Sequence, residues 1–68
     1  MKVIKIMAFV NNAEYSRHAM SRVSAKYPNK HIYDNDTLPK DAEVISSETI
    51  DCWGLPSYGF TFFVEVEG

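Results

Sequence analysis

Cys52, two histidines and several aspartates are the residue types in this 68-residue chain that could assemble a nucleophilic site. A thiol needs a base, and the base needs an orienting carboxylate; His18 or His31 and Asp34 or Asp51 are the types that would serve. Their separations along the chain leave any meeting to tertiary structure. Cys52 sits between Asp51 and Trp53 in a run that reads as a strand. An adjacent carboxylate raises a thiol pKa and works against a reactive thiolate. The plainer role for Cys52 is a small buried apolar residue, and for His31 a structural or solvent-facing one. Asp34-Asn35-Asp36 sets two carboxylates two residues apart, which with backbone carbonyls suits a hard cation. The glycine and glutamate that a calcium loop requires at fixed spacing do not follow. The plainer role is a turn in which the Asp and Asn side chains bond their own backbone. No Gly-rich phosphate loop, His-Glu zinc helix or nucleophile elbow is present. The sequence thus predicts a protein that is not an enzyme and uses no metal or cofactor.

Two further groupings point to binding. Tyr15, His18, Arg22 and Lys26 recur at spacings of three, four and four, and Lys30 extends them. A cationic stripe with an aromatic can contact phosphates and stack on a base. An ordinary solvated helix face has the same pattern, and nucleic-acid binders are usually basic where this chain is acidic overall. The segment 53–59, with Trp53, Tyr58 and turn-forming residues, suits a recognition loop. It equally suits a hairpin closed by a Trp53–Tyr58 cross-strand pair.

The elements that would position these groups are legible. Residues 2–10 hold Val3, Ile4, Ile6 and Val10 without a breaker and read as a strand. Asn11 with Glu14 three residues on resembles a capping box, opening a helix that runs to about Tyr27 before Pro28. On that helix Ser16, Ala19, Met20, Val23 and Tyr27 share one side, which packs on the sheet. The cationic stripe takes the opposite side. Residues 31–33 form a short strand, 34–41 a loop, and 43–53 and 58–67 two more strands joined as a hairpin by 54–57. In the last strand Tyr58, Phe60, Phe62, Val64 and Val66 alternate with Gly59, Thr61, Phe63, Glu65 and Glu67. The order is β-α-β-β-β, or β-α-β-β if 31–33 is only a turn. A right-handed crossover sets strands one and two parallel, with the hairpin antiparallel beside them. The fold class is α+β: one small domain over 1–68, one helix on a three- to four-stranded, mostly antiparallel sheet.

Length and charge narrow the class. A chain this short buries roughly 60% of its unfolded surface, and its core is marginal unless packing is dense or a partner adds to it. One cysteine excludes an intrachain disulfide, and nine aromatics help the packing. The first apolar run is too short and too charged for a leader or a membrane span, and the lone cysteine fits a reducing cytoplasm. Residues 1–33 carry a balance of +5 and residues 34–68 one of −7. Such halves steer a partner or neutralise each other within one globule.

One helix covers one face of a sheet. If Ile4, Ile6, Ala8 and Val10 pack beneath it, then Met7, Phe9, Trp53 and Phe63 share the other face, which in an antiparallel sheet is normally polar. An apolar cluster there is an interaction surface, unless the loop 34–42 folds over it. With Tyr58, and with Glu65 and Glu67 at the rim, these residues are the candidate protein contacts. The first functional expectation is therefore a small protein-binding module, a regulator or inhibitor of a larger protein. Compact stand-alone chains of this size occur among phage and mobile-element accessory proteins, an analogy of size and composition. The second is nucleic-acid binding through Tyr15, Arg22, Lys26 and Lys30, and the third a homodimeric accessory protein.

Overall fold

Strand β1 (Lys2–Val10) is apolar on both sides of its pleat near its C-terminal end, and its place in the sheet explains why. In the computed structural model, which describes residues 1–10, 16–51 and 58–67, the other elements are α1 (Ser16–Lys26), β2 (Ile32–Tyr33), β3 (Glu43–Asp51) and β4 (Tyr58–Glu67). They make one α+β unit with a four-stranded sheet of order β2-β4-β1-β3. β1 pairs with β3 in parallel and with β4 antiparallel, and β4 pairs with β2 antiparallel. Two of the three pairings are antiparallel, as the sequence predicts. Central β1 and β4 carry the large apolar side chains, while β3, with Ser46, Ser47, Glu48 and Thr49, lies at an edge.

The expected β3–β4 hairpin does not form, because β1 runs between the two strands. β1 is apolar on both faces, the pattern of a central strand rather than of an edge. With β1 between them, the facing ends of β3 and β4 stand about 10 Å apart, two strand spacings. Tyr58 pairs with Val10 of β1 rather than with a residue of β3. The Trp53 half of the expected aromatic pair lies outside the described residues, as do Cys52 and the proposed helix cap at Asn11 and Glu14.

The helix packs on one face, as its pattern dictates. Ala19 and Val23 are fully buried against Ile6, Ala8, Val10, Phe62 and Val64, and Met20, Tyr27, Ile32, Ile50 and Phe60 pack around them. Tyr27 makes the last helical bond, its N–H to Val23 C=O at 3.0 Å. Pro28 then breaks the pattern, and Asn29 turns the chain with φ 66°, the left-handed conformation that Asn tolerates best after Gly. No helix among the described residues is long and apolar enough to cross a membrane.

The second face is half closed. β2 and β3 occupy opposite edges, so the connection 34–42 must cross the sheet. Ile32 packs in the helix-side core, which turns Tyr33 to the second face. Asp41 acts on the Tyr33 hydroxyl and lies 3.9 Å from the Met1 amino group. The connection therefore crosses the second face beside Val3 and Phe63, which are 0% and 7% exposed although neither is under the helix. Tyr33 Oη donates to Glu65 Oε1 at 3.0 Å on this face, and the His31 ring stacks on Tyr33 with centroids 4.2 Å apart.

Candidate functional site

The site is built by a mismatch in strand length. β4 has ten residues and β2 has two. Ile32 and Tyr33 pair with Val64 and Phe63, and the Glu65 N–H donates to the His31 C=O at 2.9 Å. Alternate residues of a strand turn their N–H and C=O groups to the same side. The groups of Thr61 and Gly59 therefore point to the edge that β2 occupies lower down. Past Tyr33 no strand among the described residues meets them. Among the described residues these two donors and two acceptors, at strand spacing, have no strand partner.

A cleft of about 510 Å³ lies along this edge. Gly59, Phe60, Thr61 and Phe62 form its floor, Arg17 and Met20 of α1 one wall, and Asp34, Asn35 and Asp36 its far end. The chain leaves the sheet there because Asp34 folds it into a tight turn. Its Oδ1 accepts from the Asp36 N–H at 2.9 Å, the Thr37 N–H at 2.9 Å and the Thr37 hydroxyl at 3.1 Å. The Thr37 bonds come first in holding this carboxyl below its usual range, followed by that from Asp36. The turn role expected for Asp34-Asn35-Asp36 is thus the one observed, and it keeps the β4 edge open.

Of the expected contact residues, Met7 and Phe9 lie on the second face beside this edge. Both lean over Gly59, where a Cβ would stand 3.0 Å from Phe9 Cε1 and 3.1 Å from Met7 Cε, and Thr61 Oγ1 bonds Met7 Sδ at 2.9 Å. Gly59→Val should push both side chains outward and cost about 1–2 kcal/mol by overpacking; a urea midpoint at or above wild type would refute that packing. Phe63 shares their face but is buried beside the 34–42 connection. Tyr58, 46% exposed, takes the helix-side parity beside Val10. The side chain of Glu67 and all of Trp53 lie outside the described residues, and Glu65 is engaged by Tyr33.

Of the nucleophilic grouping, Cys52 lies outside the described residues, and the structure does not bring His31 and Asp51 together. Asp51, the neighbour of Cys52, pairs with Phe9, whereas His31 bonds Glu65, which is level with Val3. Six strand residues, about 20 Å, and the width of the sheet separate them. The described members of the cationic stripe are exposed, Lys26 among them. Arg22 and Lys30 are exposed, Tyr15 lies outside the described residues, and Lys26 reaches down to β3, where its Nζ donates to Glu48 Oε1. Tyr27 Oη donates to Glu48 Oε2. The two bonds hold the Glu48 carboxyl below its usual 4.5, and the Glu48 bond, aided by burial, pushes the Tyr27 hydroxyl up to about 12. The Tyr27 contribution to stability is complete below pH 10 and fades as pH rises towards 12; that of Glu48 is complete above about 4.5 and fades below it. In Glu48→Gln the Tyr27 Cζ resonance should titrate near 10, and an unchanged midpoint would show that the carboxylate is not the cause.

Sequence reasoning missed Arg17, Met20, Gly59 and Thr61 as a group. The short 31–33 run marks an uncovered length of the ten-residue strand only once the sheet order sets the two side by side.

Fold and site together define a small α+β domain with an incompletely paired sheet edge. Comparison with known proteins adds no relative: no family model, no curated protein and no solved structure matches the chain.

Proposed function

We propose that this chain is a non-enzymatic protein-binding module that acts as a regulator or inhibitor by docking on a larger protein. The observation that carries the reading is the β4 edge at Gly59 and Thr61, whose backbone groups meet no strand among the described residues, above a floor of Phe60 and Phe62. An extended segment added there satisfies the backbone groups and continues both sheet faces at once, a known mode of peptide recognition. On the helix side it meets Met20, Phe60 and Phe62; on the second face it meets Met7, Phe9 and Thr61. Exposed edges are otherwise guarded. On β3 the bulge at Ile45 and the charges of Glu43 and Glu48 do this, whereas residues 58–62 carry no charge.

The test is capture of a stoichiometric protein by the tagged chain from lysate treated with nuclease, repeated with Thr61→Pro and with Ser24→Ala on the exposed helix face. Capture lost only in Thr61→Pro supports the reading. Capture that vanishes with nuclease, or is indifferent to Thr61→Pro, refutes it.

A further inference from the structure

The cleft is electrically polar along the strand axis. Asp34 follows Tyr33, which pairs with Phe63, so the acidic turn stands at the Phe62 end. Lys26 and Tyr27 reach Glu48, which is level with Ile6. Nine residues of helix at 1.5 Å each carry Arg17 about 14 Å further along β1, to the Gly59 end of the cleft. Arg17 and Asp36 are both exposed, and neither has an ion-pair partner among the described residues.

We propose that the occupant of this edge is an extended segment of a partner protein that runs antiparallel to β4, with a basic residue towards its N-terminal end and an acidic residue towards its C-terminal end. This rests on the β4 edge being the docking site. The floor demands a peptide, because its paired backbone donors and acceptors repeat at strand spacing between apolar side chains. Direction follows from β2, which is antiparallel to β4 on the same edge, so that an added strand prolongs its line. An antiparallel segment enters beside Asp34 and Asp36 and leaves beside Arg17. Its basic residue then faces the acidic turn, and its acidic residue faces the guanidinium. Between them, apolar side chains at alternate positions lie on Met20, Phe60 and Phe62. Charge placement of this kind sets orientation and suppresses wrong partners more than it adds affinity.

The test titrates the full-length ¹⁵N-labelled chain with two capped peptides, Lys-Thr-Val-Thr-Val-Thr-Glu and its reversed sequence. The Gly59 and Thr61 amides should shift with the first peptide, which should bind about fivefold more tightly than the second, the scale of two exposed charge contacts. Arg17→Glu should abolish that preference. Equal binding of the two peptides, shifts centred on β3, or no shift with either would overturn the proposal. So would concentration-dependent shifts of the same amides without peptide, which would make a second copy of the chain the occupant. Loss of capture in Thr61→Pro can survive each of these failures except a shift to β3, so the two readings fail separately.

Discussion

Ile6→Ala is expected to lose about 2–5 kcal/mol of stability and so to populate the unfolded state heavily at 25 °C. Ile6 is 0% exposed, pairs with Phe62 on one side and Glu48 on the other, and belongs to the cluster under Ala19 and Val23. Its truncation removes the transfer free energy of three carbons and leaves a cavity that a two-sided sheet cannot collapse into. A 68-residue domain holds only about 3–10 kcal/mol in total, with no disulfide to add to it. The loss is therefore a large fraction of everything that keeps the chain folded. Ile45→Ala is the matched control. Ile45 is the bulge residue of β3 and is 49% exposed, so its truncation should stay within about 0.5 kcal/mol. Urea unfolding followed by circular dichroism measures both. Equal midpoints for the two variants would mean that the centre of the core does not lie on β1.

Thr61→Pro is expected to cut partner capture at least tenfold while the chain stays folded. Its N–H points to the open edge, so proline removes a donor that the fold leaves unused, and edge positions of this kind are where sheets accept proline. The ring blocks an incoming strand. Thr61→Val keeps the N–H and should keep capture, which separates the backbone from the hydroxyl that bonds Met7. One residue on, the same change has the opposite meaning. The Phe62 N–H faces β1, where Phe62 pairs with Ile6, and the ring is 7% exposed. Phe62→Pro loses a ladder bond and a buried aromatic together and should not fold. Were Thr61→Pro to unfold the chain as completely as Phe62→Pro, the assignment of outward and inward backbone groups on β4 would be wrong.

The structure brings together some of the contact residues expected from the sequence and parts others. Met7 and Phe9 do share a face, and they border the open edge. Phe63 drops out because the connection 34–42 passes over it, and Tyr58 because its parity puts it with Val10. In the basic stripe Lys26 stays exposed but pairs with Glu48 on β3, a residue 22 positions further along the chain. No local spacing rule reports on a partner so far away.

What the sequence determined by itself is local. Alternation in 2–10 and 58–67, the apolar side of the helix, and the stops at Pro28 and Asn29 each depend on residues a few positions apart, and the elements follow them. The Asp34 turn belongs with these, since its three bonds close within three residues. Tertiary structure alone decided the sheet order. Adjacent strands in the chain can pair or be parted by a third, and here β1, apolar on both faces, stands between β3 and β4. That one choice moves β3 to an edge, sends the 34–42 connection over Val3 and Phe63, and leaves Gly59 and Thr61 with no strand partner among the described residues. A site made of unmet backbone groups carries no residue signature, because every residue type has the same N–H and C=O to offer.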